Sequence, residues 1–236
     1  MQRKISRRRF IAATASTGLF SIVPRHVLGG PGHTPPSEQV NIAGIGIGGM
    51  GAANIRGCAH EHIGALCDVD HAFAAGTLAA YPMATPYTDY RVMLENERDL
   101  DAVVIATPDH THAVIAMAAM QMGKHVFCQK PLAHDVYESR MLAQTARETG
   151  VVTQMGIQGH SQEGLRLICE WIWDGAIGAV HKVDAWCSLM YSPPGHANWS
   201  SILQDSPEEG QPLPDGLEWD SWIGPAPMRP YHRCYH

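Results

Sequence analysis

Closely spaced glycines in the stretch VNIAGIGIGGMGAAN, residues 40–54, could hold a phosphate group. The stretch contains two overlapping copies of one pattern, Gly44-x-Gly46-x-x-Gly49 and Gly46-x-Gly48-x-x-Gly51. Such glycines suit a loop between a strand and a helix, where the backbone can approach a pyrophosphate. The second copy leaves the preceding strand its full length and starts the next helix at Gly51. We therefore choose Gly46, Gly48 and Gly51.

An acidic residue after the next apolar run could bind the hydroxyl groups of a ribose. Asp68 follows HIGALC, twenty-two residues after Gly46, and the dinucleotide fingerprint requires a carboxylate at about this distance. A carboxylate repels a 2'-phosphate, and no arginine occurs in CDVDHAF, residues 67–73, to accommodate one. The sequence therefore predicts NAD as the cofactor, with Asp70 as the alternative ribose residue. Gly49 and Met50 complete the predicted cofactor loop.

A third group of polar residues follows the strand-like run DAVVIAT, in the segment ATPDHTHAV. Ligands of open parallel sheets bind at the carboxyl ends of the strands. We therefore expect Thr107 and Pro108 to line the cofactor, and we count Asp109 and His112 as further cofactor candidates. The last two, like His110, are also ordinary residues for a helix cap or a turn.

The segments that must position these residues alternate between apolar runs and longer runs with helical periodicity. Strands are predicted over residues 40–46, 62–69, 100–107, 125–130 and 151–158, and helices over 51–60, 71–81, 89–96, 112–123 and 135–150. This alternation predicts an α/β protein with a parallel sheet of the Rossmann type, covered on both faces. After residue 158 we predict a further helix over 161–175 and a half-exposed strand over 179–191, and Pro, Gly and Trp dominate residues 192–236. A second domain over 158–236 is expected.

The first 38 residues have a different composition. A basic start, MQRKISRRRF, precedes the apolar run IAATASTGLFSIV and a stretch rich in Pro and Gly. This order is typical of an export signal followed by a flexible linker. Ser6-Arg7-Arg8-Arg9-Phe10 also resembles the twin-arginine motif. We expect the twin-arginine export machinery as a partner and a periplasmic or exported location.

Charge and cysteine usage argue against two other classes of protein. The formal net charge is -6 at a pI near 6.1, so no basic field favours nucleic acid as a partner. The six cysteines form no CxxC pair, and no HExxH motif occurs. Neither a metal site nor a disulfide framework is expected.

The segment KHVFCQKPLAHDVYESRML combines a predicted strand, the triplet Gln129-Lys130-Pro131 and a long helix. Together with GIGGMG, CDVD, ATPDHTH and QMGIQGHS in this order, it resembles the glucose-fructose oxidoreductase / inositol dehydrogenase (Gfo/Idh/MocA) family. The resemblance implies an NAD-binding Rossmann domain over 39–157. It also implies that an α/β domain with an open antiparallel sheet begins at 158. Members mostly transfer a hydride between a hydroxyl carbon of a sugar or cyclitol and the nicotinamide.

The resemblance also implies roles for individual residues. Lys130 matches the family lysine that contacts both the nicotinamide ribose and the substrate hydroxyl, so it is the predicted catalytic residue. Gln129 stands where the family usually has Glu, and its amide can still form a hydrogen bond with a ribose. Gln158 and His160 occupy the place where members line the cofactor and the substrate.

Three functions remain open from the sequence. The first is an NAD-dependent oxidoreductase that acts on a sugar or polyol. The second is an NAD-dependent glycoside hydrolase of the same fold. The third is a non-catalytic NAD-binding fragment, because the family's downstream Asp-x-x-x-His arrangement is not found and we expect a truncated substrate domain. We also expect the full-length protein to form a homo-oligomer.

Overall fold

A computed structural model describes residues 34–186, 209–233 and 235. The chain divides into two compact units, Met1–Gln39 and Val40–His236. The described part of the first unit contains a 3-10 turn, Pro36–Glu38. The predicted twin-arginine motif and the apolar run of the predicted export signal lie outside the described residues.

The second unit is built around a six-stranded sheet. Its strands are β1 Asn41–Ile45, β2 His62–Cys67, β3 Thr85–Tyr87, β4 Ala102–Ile105, β5 His125–Gln129 and β6 Thr153–Gly156. All neighbouring strands pair in parallel, in the order β3-β2-β1-β4-β5-β6. The order reverses between β1 and β4, which is where doubly wound sheets bind their ligands. The predicted Rossmann sheet is confirmed.

Seven helices accompany the sheet in the described ranges. They are α1 Gly49–Gly57, α2 Ala75–Ala80, α3 Tyr90–Asn96, α4 His112–Gln121, α5 Val136–Thr149, α6 Glu163–Trp173 and α7 Trp219–Ile223. Short 3-10 turns occupy Asp109–Thr111 and Gln158–Ser161. None of the described helices is long and apolar enough to cross a bilayer.

Alternate residues of the strands enter two separate hydrophobic cores. Ala43 of β1 and Val103 of β4 belong to the core that also contains buried residues of α3, α4 and α5. Ile42 and Val104 belong to the other core, together with Ile55 of α1. This alternation follows from the two-residue period of a strand. Because both faces of the central strands β1 and β4 are covered, their sequences are almost wholly apolar.

Three elements differ from the sequence-based predictions. The short edge strand β3 was missed, because Pro86 within it argues against a strand unless the strand lies at an edge. The five-residue helix α7 was also missed. The strand predicted over 179–191 is wrong for residues 179–186, which have no strand structure and are exposed, while 187–191 lie outside the described residues. A strand needs a neighbour for its backbone hydrogen bonds, and residues 179–186 pair with no described strand.

Candidate functional site

The loop between β1 and α1 requires glycine at Gly46 and at Gly51, for two different reasons. Gly46 has a φ of 73°, in the left-handed region that glycine adopts readily. A Cβ at Gly46 would also lie 2.7 Å from the backbone nitrogen of Thr107. A Cβ at Gly51 would collide with the carbonyl oxygen of Gly46. The helix begins at Gly49, two residues before the predicted start. This geometry favours the second copy of the glycine pattern.

The remaining glycines of the loop have different surroundings. A Cβ at Gly44 would lie 2.7 Å from Ile47 and 2.8 Å from Ile55, so Gly44 serves the packing of the core. The space where a Cβ of Gly49 would point contains no protein atom within 4 Å. Gly49 and the exposed Met50 therefore present an accessible surface to a ligand.

Asp68, at the end of β2, ties the glycine loop to the neighbouring strand. Its Oδ2 accepts hydrogen bonds from the N–H groups of Ile47 at 2.8 Å and Gly48 at 3.2 Å, and its Oδ1 accepts one from Asp70 at 3.0 Å. A carboxylate has about four acceptor positions, so Asp68 retains capacity for a ribose hydroxyl. The carboxylate of Asp70 instead accepts the N–H of Phe73 at 2.9 Å. The geometry favours Asp68 over Asp70 as the ribose residue.

A cavity of about 540 Å³ lies at this edge of the sheet, within the usual range for sites of small molecules and cofactors. Its walls include seven of the predicted cofactor residues: Gly46, Gly48, Gly49, Met50, Asp68, Thr107 and Pro108. The apolar side chains of Val69, Val114 and Ile115 complete this part of the wall. A carboxylate beside apolar side chains suits the ribose and base of a nucleotide.

Residues 88–91, at the end of β3 and the start of α3, line the same cavity and were not predicted from the sequence. The Arg91 side chain donates to both carboxylate oxygens of Asp89, with Nε–Oδ1 and Nη2–Oδ2 distances of 2.9 and 2.8 Å. This hydrogen bonding lowers the pKa of the Asp89 carboxyl. Although no arginine follows Asp68 in sequence, the fold thus brings one into the same cavity, and its charge is paired by Asp89. Recognition of β3 could have identified it.

Residues 220–225 form another part of the wall that sequence analysis did not identify. Asp220, Ser221, Trp222, Gly224 and Pro225 all line the cavity. They belong to α7 and the turn after it, about 150 residues along the chain from Asp68. The tryptophans of this region were noted in the sequence, but no spacing indicated a site.

Two predicted cofactor residues of the ATPDHTHAV segment do not line the cavity. Asp109 is exposed and begins a 3-10 turn. His112 is only 1% exposed. Its Nδ1 lies 2.6 Å from the carbonyl oxygen of Pro131, and its Nε2 lies 2.8 Å from that of Thr107. Whichever nitrogen carries a proton donates to one of these oxygens. We therefore replace the predicted direct contact of His112 by a positioning role between two loops.

The residues predicted for the reacting end lie together at the ends of β5 and β6. Gln129 is adjacent to Gly156 of β6 in the strand register and is 4% exposed. Its Nε2 has no hydrogen-bond partner among the described residues. Lys130, Gln158 and His160 follow these strands and are exposed. None of the four lines the 540 Å³ cavity.

Two core cysteines are unsuited to nucleophilic chemistry. Burial raises the pKa of the Cys128 thiol to about 12 and that of Cys67 above its usual range. Both sulfurs therefore stay protonated near neutral pH, and the protonated thiol is a poor nucleophile. Among the residues that the structure describes, no group of three or more His, Cys, Asp and Glu side chains could hold a metal ion.

Comparison with known proteins identifies relatives of the cofactor-binding part. Residues 40–157 match the model of the GFO_IDH_MocA family, described as "Oxidoreductase family, NAD-binding Rossmann fold". Inositol 2-dehydrogenase of Salmonella typhimurium is 30% identical over 140 residues, which cover 57% of this chain and 41% of the relative. A glycosyl hydrolase family 109 protein of Shewanella pealeana is 30% identical over 173 residues, covering 62% and 38%.

Solved structures of inositol dehydrogenases have the same fold. Myo-inositol 2-dehydrogenase of Lactobacillus plantarum has a TM-score of 0.57 and 26% identity, covering 60% of this chain and 43% of that one. Scyllo-inositol dehydrogenase of Lactobacillus casei, with bound NAD(H) and scyllo-inositol, has a TM-score of 0.55 and 23% identity, covering 59% and 42%. The chain spans less than half the length of these relatives.

Proposed function

Because the chain belongs to the Gfo/Idh/MocA family of NAD-binding oxidoreductases, we propose that it acts in hydride transfer between NAD and a sugar or cyclic polyol. The observation that carries the proposal is one edge of the sheet. There the glycine loop and Asp68 enclose a cavity, and Lys130 follows the end of β5 at the same edge. Parallel strands place all their carboxyl ends at one edge, so cofactor and substrate would meet there.

The residues present fit NAD. The β1–α1 turn is tight, because Gly46 has a left-handed backbone and Gly51 lies close to the carbonyl oxygen of Gly46. Such a tight turn lets backbone N–H groups face a pyrophosphate. Asp68 retains acceptor capacity for the adenosine ribose. When bound, NAD+ supplies the acceptor for a hydride from the carbon that bears the substrate hydroxyl.

Lys130 would act on the substrate hydroxyl. Its Nζ, as a neutral amine, would accept the hydroxyl proton and hold it as an ammonium. The side chain is exposed, so water must be excluded from it by bound cofactor, substrate and the surface that covers them. Gln129, buried beside it with an unpaired Nε2 in the described structure, would donate a hydrogen bond to the cofactor.

Spectroscopy of the chain with NAD+ and a panel of polyols tests this proposal. Formation of NADH with a cyclic polyol such as myo-inositol, and its loss in Lys130→Met, is the expected result. The Lys182→Met variant, which changes an exposed lysine that forms an ion pair with Asp184, serves as the matched control. NAD binding without NADH formation from any polyol would contradict the proposed dehydrogenase activity.

A glycoside hydrolase is the second candidate, supported by the similarity to the glycosyl hydrolase family 109 protein of Shewanella pealeana. Such an enzyme would retain its NAD and return it to the starting oxidation state in each turnover. Release of the aglycone from a chromogenic glycoside without added NAD, and without net NADH, would favour the hydrolase. Net NADH in proportion to product would favour the dehydrogenase.

Export and a substrate domain complete the proposal. The twin-arginine motif supports folding and loading of NAD before translocation, since this route carries folded proteins. A fusion of residues 1–38 to a folded reporter should reach the periplasm, and replacing Arg7 and Arg8 by Lys should retain it in the cytoplasm. Retention of the unmodified fusion would contradict export. We further propose that residues 158–236 begin the substrate domain, supported by the position of Gln158 and His160 beside β6.

A further inference from the structure

The carboxyl ends of the parallel strands form one edge of the sheet, which we call the cofactor edge. The segment 217–225, which we call the C-terminal wall, is attached to two loops at this edge. Leu217 forms an antiparallel bridge with Asp70. The N–H of Glu218 donates to the carbonyl oxygen of Val69 at 2.9 Å. The C-terminal wall is therefore fixed to the loop that begins with Asp68.

A second attachment fixes the other end of the C-terminal wall. The Nε2 of His110 lies 2.8 Å from the carbonyl oxygen of Trp222, and the centroids of the two rings are 5.3 Å apart. Gly224 has a φ of 54°, and a Cβ there would lie 2.9 Å from Cγ2 of Thr111. The wall thus spans from the end of β2 to the loop after β4.

A small hydrophobic core stabilises the C-terminal wall. It contains the buried side chains of Leu217, Trp219, Ile223 and Tyr231. The ring of Trp219 stacks on that of Trp222 with a centroid distance of 4.7 Å and an interplanar angle of 13°. The indole N–H of Trp219 donates to the carbonyl oxygen of Arg229 at 2.8 Å. These contacts hold Trp222 in one orientation toward the cavity that it lines.

We propose that the C-terminal wall encloses the adenosine half of NAD, and that Trp222 is a cofactor-binding residue. The cavity contains the ribose acceptor Asp68 and the apolar Val69 and Ile115, whereas Lys130 lies outside it. It is therefore the adenosine end of the cofactor site. This inference rests on the NAD binding that underlies the proposed function. Enclosure by the wall slows dissociation of the cofactor, because the wall must open before the adenosine can leave.

Binding of cofactor fragments to the full chain tests the wall. We expect Trp222→Ala to weaken the binding of AMP and NAD by about tenfold, as loss of an aromatic contact with a base does. Binding of nicotinamide mononucleotide should change less than about twofold, since it lacks the adenosine. Trp173→Ala in α6 removes a tryptophan that is 82% exposed and outside the cavity, and it should leave all three affinities unchanged. Equal affinities for AMP in the two variants would overturn the inference.

Hydrogen exchange of the unmodified chain provides a test that does not depend on folding of a variant. AMP should slow exchange of the backbone amides in 217–225 and leave those of α6 unchanged, while nicotinamide mononucleotide should leave both regions unchanged. Absence of protection in 217–225 at saturating AMP would overturn the inference and leave the proposed function standing. A chain that binds neither AMP nor NAD would overturn both.

Discussion

The two ends of the cofactor edge differ in how completely their residues are enclosed. At the ends of β1 and β2, Asp68 is 9% exposed and is held by three backbone N–H groups. At the ends of β5 and β6, Lys130, Gln158 and His160 are exposed. Gln129, next to Lys130, is buried with an unpaired amide nitrogen in the described structure. The adenosine end is thus preorganised, whereas the reacting end is placed by strand order alone.

This difference separates binding from chemistry. Adenosine recognition requires acceptors and apolar walls, and the described residues supply both. Proton transfer at Lys130 requires exclusion of water, which the described residues near β5 and β6 do not provide. The neighbouring helix α6 exposes apolar side chains, including Ile168, Trp171 and Trp173. We therefore expect substitutions at the adenosine end to change stability and affinity together, and substitutions at the reacting end to change neither strongly.

The largest effect is expected from the glycine loop. Replacing Gly46 or Gly51 by Ala should lower the free energy of unfolding by about 1–3 kcal/mol, through the left-handed φ or the collision with the Gly46 carbonyl. NAD binding should be lost, because the loop must move away from its tight turn. The control is Gly57→Ala at the end of α1, where a Cβ meets no atom within 4 Å. Urea unfolding and calorimetric titration measure both quantities. Normal NAD binding by Gly51→Ala would show that the tight turn is not needed.

Asp68 provides the next largest effect. Asp68→Asn should weaken NAD binding by roughly 10- to 100-fold, since hydrogen bonds to a charged acceptor are worth about 1.5–3 kcal/mol. It should also lower the free energy of unfolding, because an amide NH2 would face the backbone donors of Ile47 or Asp70. The matched control is Asp70→Asn, which keeps an acceptor for the N–H of Phe73. Equal losses of NAD affinity in the two variants would contradict the assignment of the ribose to Asp68.

A smaller effect is expected from the Asp89–Arg91 pair, which allows a test of the choice between NAD and NADP at the adenosine end. Asp89→Asn removes the charge that pairs Arg91, so the affinity for NADP relative to NAD should rise by about two- to fivefold, as expected for a solvent-screened charge. The double substitution Asp89→Asn/Arg91→Ala should abolish the gain. Competition between NADP and NAD measures the ratio. An unchanged ratio of NADP to NAD affinity in Asp89→Asn would show that Arg91 does not reach the 2' position of the adenosine ribose.

The sequence predicted those parts of the site whose determinants are close together along the chain. The glycine loop and Asp68 are separated by one helix and one strand, and the alternation of apolar runs with helical periodicity predicted both elements. Thr107 and Pro108 followed from the rule that ligands bind at strand ends. The sequence did not indicate the direction of each side chain, so His112 was placed toward the cofactor although its ring binds Thr107 and Pro131.

The missed residues depend on contacts between distant segments. Arg91 reaches the cavity through β3, whose Pro86 hides a three-residue edge strand. Trp222 reaches it through α7, a five-residue helix that is too short for a periodic signal. Neither the sequence of β3 nor that of α7 indicates which distant segment of the chain it contacts. The position of Arg91 follows from the pairing of β3 with β2. That of Trp222 follows from the contacts of residues 218–222 with Val69 and His110.

The pH dependence of stability measures the Asp89–Arg91 pair with a still smaller effect. Hydrogen bonding to Arg91 holds the pKa of the folded Asp89 carboxyl below its ordinary value of 3.8. The ionised carboxylate therefore adds stability that is fully present above pH 3.8 and is lost as the pH falls through the lower folded pKa. Both side chains are partly exposed, so we expect about 0.3–0.5 kcal/mol. The unfolding free energies of the unmodified chain and Asp89→Asn should converge in acid, and a constant difference would contradict the pair's contribution.

The smallest effect on binding is expected at the reacting end. Lys130→Met should leave the free energy of unfolding within about 0.5 kcal/mol and the affinity for AMP within about twofold, because the lysine is exposed and outside the cavity. The affinity for nicotinamide mononucleotide should fall instead if Lys130 contacts the nicotinamide ribose. Titration of both fragments against Lys182→Met as the control separates the two ends. A large loss of AMP affinity in Lys130→Met would mean that the two ends are coupled, and His112, which connects Thr107 with Pro131, offers a structural path for that coupling.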